Sequence, residues 1–315
     1  MLRQFPSNRR YLIGVSAGRD SVTLLRWLIE RGYKKLIVSH LDHQLRGRAS
    51  RADARFVEKM ARAAGLDCEI GATDVRALAK ELNLSIETAA RVARFAFFVS
   101  VARKKRCRII FLAHHADDLV ETALLNLFRG ASPGGIAAMR EVSVHRVGRL
   151  SLTVVRPLLG IWRREIDAYI KEHALSFRED ETNRSLSARR NRIRHQILPY
   201  IEHRLGRSVR TNIWRTAKIW CDEDALLDSL AASASADERS LDALALRKIP
   251  VALQRRVILS WLRREGMPNL GFELVENVRS LIPVHARPAK TNLPRDFYVR
   301  RRKNKLFIAS ARDKK

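Results

Sequence analysis

Hydrophobic and polar positions follow two regimes along the 315-residue chain. In the first half, short apolar runs alternate with stretches where apolar residues return every three or four positions. Brief apolar runs bounded by polar turns read as buried strands, and the three-to-four spacing reads as helices with one buried stripe. The runs are YLIGV at 11–15, LIVSH at 36–40, CEIGA at 68–72 and RIIFLAHH at 108–115. Between them, 20–31 carries Val22, Leu25, Leu28 and Ile29 on one stripe, and 51–64 carries Phe56, Val57, Met60 and Ala64. Gly65 follows where a left-handed cap would end that helix. A long helix is predicted over 85–103, begun by Ser85 with Glu87 and Thr88 in its first turn. Another is predicted over 117–128. Runs at 142–147 and 152–156 read as a hairpin or edge pair, closed by Pro157, and 162–173 is amphipathic.

Past Pro199 the strand pattern gives way to helices. Stretches 209–230 and 251–264 have helical spacing, the second turning Val257, Ile258, Trp261 and Leu262 inward. The small-residue stretch 230–240 reads as a linker or turn. The closing FYVRRRKNKLFIAS reads as a β-hairpin turning near Lys303-Asn304. Alternating strands and helices predict an α/β fold, a doubly wound parallel sheet of Rossmann-like type, over 1–200. A smaller, mainly helical and basic domain ending in the hairpin is expected over 201–315.

Charge narrows the partner more than the fold. There are 61 Lys+Arg against 33 Asp+Glu, a formal net charge of +28. A neutral metabolite has no use for that excess, whereas a polyanion releases counterions at each phosphate neutralised. Nucleic acid is therefore the favoured partner. Cys68, Cys107 and Cys221 are far apart and form no CxxC pair, which argues against a disulfide framework, a zinc site or an iron–sulfur site. No run approaches the ~18 apolar residues of a membrane span. A soluble, reducing, cytoplasmic setting is expected, with no membrane partner. The oligomeric state is left open, a homodimer being one option.

Candidate chemistry sits at the ends of the predicted strands. Ser16-Ala17-Gly18-Arg19-Asp20-Ser21 lies between a strand and a helix, where free backbone N–H groups and the helix dipole receive an anion. Gly18 permits close backbone approach, and Ser16 and Ser21 add hydroxyls. Asp20 beside a phosphate implies an intervening cation or a catalytic role. The spacing is neither a Walker A loop nor GxGxxG. Ala113-His114-His115-Ala116-Asp117-Asp118-Leu119-Val120-Glu121-Thr122 follows the fourth run. Asp117 and Glu121 are one helical turn apart, so both can face one Mg²⁺. Asp118 points elsewhere, toward a substrate amine. Zinc is the rival for His114 and the carboxylates, but no further ligand completes its site.

These segments carry a resemblance. SAGRDS resembles the SGGxDS loop of the PP-loop ATP pyrophosphatases, with Ala17 where that family has glycine. If this position needs positive φ, alanine costs roughly 1 kcal/mol there. Ser39–Gly47, SHLDHQLRG, resembles the HVNHGLRG segment of the tRNA(Ile)-lysidine synthases. Glu87–Phe95 resembles their EAAARRARY helix, 113–122 their HHADDQAET segment, and Asp180–Asn183 with Arg190–Arg194 their DPSN…RNRIR segment.

The resemblance implies an ATP-dependent, carbon–nitrogen bond-forming ligase that joins free lysine to C2 of the wobble cytidine of CAU-anticodon isoleucine tRNA through an adenylated base. It implies ATP and Mg²⁺ as cofactors. Ser16, Ala17, Gly18, Arg19, Asp20 and Ser21 would hold the phosphates, and Leu41, His43, Arg46, Arg91 and His114 would surround the nucleotide. Asp20, Asp117 and Glu121 would hold the metal, and Asp20, Asp117, Asp118 and Glu121 would serve catalysis. Arg91, Arg94, Arg192 and Arg194 would meet substrate or RNA. Three alternatives stay open: another PP-loop tRNA cytidine-modifying enzyme such as a thiolase, a small-molecule PP-loop ligase, and an inactive RNA-binding relative.

Overall fold

The computed structural model describes residues 1–137, 139–148, 150–179, 189–234, 240–268, 270–283 and 289–310. The motif at 180–183, with Arg184 and Arg287, lies outside them. In chain order the elements are β1 (Tyr11–Gly14), α1 (Arg19–Glu30), β2 (Leu36–Asp42), α2 (Arg48–Ala63), β3 (Asp67–Ala72), α3 (Val75–Glu81) and α4 (Ile86–Lys104). Then come β4 (Ile109–Phe111), α5 (Ala116–Leu127), α6 (Pro133–Ile136), β5 (Val142–Val147), β6 (Leu150–Val155) and α7 (Arg163–Glu172). They continue with α8 (Arg189–Arg192), α9 (Leu198–Leu205), α10 (Val209–Ala234), β7 (Ser240–Asp242), α11 (Ala243–Arg247), α12 (Val251–Arg264) and α13 (Phe272–Arg279). The chain closes with β8 (Lys290–Asn292), β9 (Phe297–Arg302) and β10 (Lys305–Ser310). It divides into two compact units, Met1–Leu125 with Met139–Trp214, and Asn126–Ala138 with Arg215–Lys315.

The first unit is built on a six-stranded sheet of order β3-β2-β1-β4-β6-β5, parallel except for β5 against β6. β1 has no charged side chain, its Tyr11 hydroxyl donates to the Pro6 carbonyl at 3.0 Å, and its Leu12 and Ile13 are fully buried, as a strand covered on both faces requires. One face packs on Leu24, Leu25 and Leu28 of α1, Val57 and Ala61 of α2 and Ile166 of α7. The other packs on Phe98, Val99, Val101 and Ala102 of α4. The sheet is therefore doubly wound, with the smaller second unit beside it in sequence, in agreement with the fold class read from the pattern. The chain leaves β1 toward β2 and β3 on one side and reaches β4 on the other. The crevice between the carboxyl ends of β1 and β4 is thus the topological switch point, where open α/β sheets bind ligands.

The second unit carries more strand than the pattern suggested. Its antiparallel sheet runs β7-β10-β9-β8, so the expected hairpin, β9 with β10, is extended on both edges by three-residue strands. Strands that short show no alternation to read. Trp261, Val257, Ile258 and Leu262 of α12 bury against Val299 and Leu306 of the hairpin. The stretch taken as a linker begins helical instead, because α10 continues to Ala234; its small residues are mostly Ala, the best helix former. No helix among the described residues is long and apolar enough to cross a membrane.

Candidate active site

The loop after β1 turns sharply before α1. Val15 N–H still pairs with the Ser39 carbonyl at 3.0 Å, continuing the sheet. Ala17 then adopts φ +68° with its methyl fully buried. The position does demand the left-handed region, so the methyl carries the strain of an L residue there. Gly18 caps α1 with no side-chain hydrogen bond, and although the Ser21 N–H turns back to the Gly18 carbonyl at 3.1 Å, the Arg19 and Asp20 amides are left to a ligand. Ser21 ties the loop: its Oγ accepts from Ser16 N at 3.1 Å and donates to the Gly18 carbonyl at 2.9 Å.

Beside this loop is a cavity of about 740 Å³, lined in part by Ser16, Gly18, Asp20, His43, Arg94 and His114. That volume lies within the range of small-molecule sites. Arg19, Ser21, Leu41, Arg46, Asp118 and Arg194 also face it. Arg19 is pinned by Asp167 at 2.8 Å and Glu179 at 2.5 Å. Arg46 donates to Asp53 at 2.6 Å, and Arg178 binds the other oxygen of the same buried carboxylate. Arg178 also donates its backbone N–H to the Ala17 carbonyl at 3.0 Å, so segment 177–179 is fastened to the loop. His43 Nε2 is 3.4 Å from Arg94. Burial, with Arg94 beside it, pushes His43 down to about 4, so its imidazole is neutral at pH 7.

His115 is the hub of the charged floor. It is fully buried, with Nε2 3.8 Å from Asp20 and 3.5 Å from Asp118, and Nδ1 3.6 Å from Asp117. Burial opposes its proton, but the three carboxylates outweigh that and raise its pKa. Asp20 is raised by burial, despite Arg163 at 2.9 Å. Asp117 is also penalised by burial, yet His115 and the Arg163 N–H at 2.9 Å hold it below the usual range. Burial works the same way on Asp118, and the positive charges of His115 and Arg190 bring it down to about 2. His114, one residue before the hub, is lowered to about 3 by burial and stays neutral.

The two acids expected to converge on a metal have different partners. Glu121, 1% exposed, is gripped by Arg190 Nε at 2.7 Å and Arg194 Nε at 2.6 Å. Asp117 instead serves His115 and the start of α7. Neither lines the cavity, whereas Asp20 and Asp118 do. Among the described residues, no three His, Cys, Asp or Glu side chains are placed to hold a metal. Asp20, Asp117 and Glu121 thus stand in separate contacts, with Asp20 alone of the three on the cavity. A Mg²⁺ that arrives on nucleotide phosphates keeps its waters and needs only one or two carboxylates, and Asp20 beside the loop suits that requirement.

Other assignments separate too. Arg94 lines the cavity, but Arg91 does not; its guanidinium lies over the Phe95 ring at 5.4 Å. Arg192 is exposed, while Arg190 and Arg194 are drawn inward by Glu121. Sequence reasoning passed over His115, Asp53, Arg163, Arg178 and Arg190. A signal for Asp53 existed: it is the first acid in the run RGRASRADAR, so an acid there compensates cations rather than coating a surface. Arg163 and Arg178 had none, because their roles arise from chain reversals around α7.

The geometry invites comparison with known proteins. The PP-loop domain model matches residues 1–201, and the TilS substrate binding domain model matches 241–307. A tRNA(Ile)-lysidine synthase of Geobacter sulfurreducens is 36% identical over 97% of this chain and 66% of its own length. One from Thermosynechococcus vestitus is 34% identical over 94% of this chain and 85% of its own. The chain belongs to the tRNA(Ile)-lysidine synthase family. Family members differ in length: a Bacillus subtilis relative, 34% identical, is spanned over only 57% of its sequence, and the chain thus covers about two thirds or less of several relatives. The PP-loop match contains every cavity-lining residue, from Gly14 to His195. The family's ATP-binding fold also appears in the U34-tRNA thiolase NcsA from Methanococcus maripaludis, with TM-score 0.54 and 18% identity over 68% of this chain and 72% of that one.

Proposed function

We propose that the protein activates C2 of the wobble cytidine in CAU-anticodon isoleucine tRNA with ATP and joins free lysine to it. The observation that carries this reading is the pairing of an uncapped PP-loop helix start with a buried carboxylate–histidine hub at one switch-point cavity. A carbonyl oxygen leaves poorly until it is esterified to phosphate, so adenylation must precede amine attack. The C2 oxygen attacks the α-phosphorus and pyrophosphate departs. The amides of the first turn of α1, with the Ser16 hydroxyl, would receive the developing charge. When bound, Mg²⁺ would supply further charge neutralisation, with Asp20 as its protein ligand.

The lysine amine then needs a carboxylate to hold it and a group to take its proton before it attacks C2 and expels AMP. Asp118 faces the cavity and is ionised far below neutral pH, which suits the first task. The second task falls to a carboxylate raised by burial, Asp20 across the same cavity, because His114, held at about 3, is too weak a base and offers the amine only a hydrogen-bond acceptor. His115 acts through its neighbours: the three carboxylates favour its protonated form, and that form lets Asp20, Asp117 and Asp118 stay together. No CxxC pair is available for thiolation chemistry. Asp20→Ala tests the reading through tRNA-dependent pyrophosphate release. The expected result is loss of release with tRNA affinity within about twofold of wild type. Near-normal release by this variant would overturn the assignment of Asp20.

A further inference from the structure

Among the described residues, one buried arginine outside the cavity has no opposite charge to answer it. Arg156, just past β6, is only 5% exposed. Its Nη1 donates to the Arg140 carbonyl and to Ser143 Oγ, both at 2.8 Å, and its buried Nε has no hydrogen-bond partner. Among the described residues no carboxylate pairs with Arg156 or with Arg91, which stands exposed on α4 nearby. Ser143 Oγ is 3.2 Å from His145 Nε2, the His145 ring stacks on Phe95 at 4.8 Å, and Arg91 lies over the other ring of that stack. β5, β6 and α4 thus bring together two guanidiniums, a hydroxyl and an imidazole.

Burying an arginine without a counter-ion is costly, and a second cation beside it adds to the cost. Burial and Arg91 do lower Arg156, but only to about 10, so it remains charged at neutral pH. His145 is pushed down by burial and by both arginines, which keeps the imidazole neutral and adds no third charge. A merely structural arginine in this place would be expected to carry an acid. A guanidinium whose Nη1 meets only neutral acceptors and whose Nε is unpaired, beside an exposed second cation, fits an arriving oxyanion.

We propose that Arg156 and Arg91, backed by Ser143 and His145, form a binding site for one backbone phosphate of the RNA substrate, distinct from the nucleotide cavity. A phosphodiester is the favoured oxyanion because Arg91 is on the surface, where a polyanion can reach it, and neither arginine lines the cavity. The site rests on the reading that the substrate is tRNA. It also reassigns Arg91 from nucleotide to RNA.

The test uses full-length Arg91→Gln and Arg156→Lys with an unmodified CAU isoleucine tRNA transcript. Affinity is measured from 50 to 300 mM salt, a range spanning roughly the regime in which phosphate contacts dominate. Arg91→Gln should weaken binding about tenfold, or 1.4 kcal/mol, at the low-salt end. It should also flatten the log K against log salt slope by roughly 0.7–0.9, one contact. Its melting temperature should hold or rise, since a repulsive charge is removed. Arg156→Lys keeps the charge and loses the fork, and should weaken binding with a near-unchanged slope. Unchanged affinity and slope in a folded Arg91→Gln protein would overturn the site. So would a raised KM for lysine with unaltered tRNA binding, because the oxyanion would then be the amino acid's carboxylate. Wild-type protein that forms lysidine while both variants bind tRNA normally would sink this site alone. Wild type that binds no tRNA would sink the wider reading with it.

Discussion

Two residues decide how the site is held. Ala17 takes φ +68° where glycine is unstrained, yet its buried methyl fills the core beside β1. Replacing it with glycine would relieve about 1–2 kcal/mol of strain. It would lose about 0.8 kcal/mol of burial and about 0.4–1 kcal/mol through a looser unfolded chain. Ala17→Gly should therefore denature in urea within about 1 kcal/mol of wild type, and a loss beyond twice that would show that the methyl matters more than the strain. The hub behaves differently. His115 has a raised folded pKa, so its contribution is complete below about pH 6.5 and fades as pH rises through the folded value. Removing it strands three carboxylates, a deficit on the order of 3–5 kcal/mol. His115→Gln should thus lower the melting temperature most near pH 6, and the gap to wild type should narrow toward pH 9. A gap that is constant or grows with pH would mean that His115 is buried neutral.

At the element scale, α5 and the segment 189–197 are joined through one carboxylate. Glu121 receives both Arg190 and Arg194, and the contact is sealed by Val120, Leu124, Ile193 and Leu198. Glu121→Gln keeps the shape and leaves two half-buried cations short of charge, at a cost below the roughly 3–5 kcal/mol of a fully buried pair. Faster proteolysis within 189–197 should accompany that loss; cleavage at the wild-type rate would show that the apolar contacts suffice alone. The sequence made much of this layer legible. Strand positions, the Ser85 cap, whose Oγ accepts from Thr88 N at 3.2 Å, and Gly65 at φ +64° all follow from local chemistry. The spacing of Asp117 and Glu121 predicts convergence on one point, whereas in the structure these helical neighbours serve different partners: arginines 69 and 73 residues away bond Glu121. Helices α3, α9 and α13 have too few apolar positions to show a period.

The whole molecule is organised around charge. If the +28 excess meets RNA, log K for tRNA should fall against log salt by roughly 0.7–0.9 per phosphate contact, a slope of several units. A flat response would make the charge a solubility device. Alternation along FYVRRRKNK puts cations on both faces of the closing hairpin, but only part of that charge is free of the core. Val299 and Leu306 are buried in the second unit's core, and Arg301 turns back to the carbonyls of Leu281 and Pro283. Removing the hairpin would therefore expose that core, so the charges themselves must be tested. Arg300 and Arg302 are exposed on β9. Arg300→Glu with Arg302→Glu should weaken tRNA binding at moderate salt by tenfold or more while ATP affinity holds; affinity within twofold would assign these charges to keeping a sheet edge unpaired.

The central claim concerns the bond that is made, and the nucleoside composition of the tRNA tests it most directly. CAU isoleucine tRNA transcript, incubated with the protein, ATP and isotopically labelled lysine, is digested and its nucleosides are separated by mass. The account predicts one lysine-bearing cytidine per tRNA, with AMP and pyrophosphate released in equal amounts, and none of it with Asp20→Ala. Unmodified cytidine at the wobble position, from a folded protein that binds both ATP and the tRNA, would contradict it.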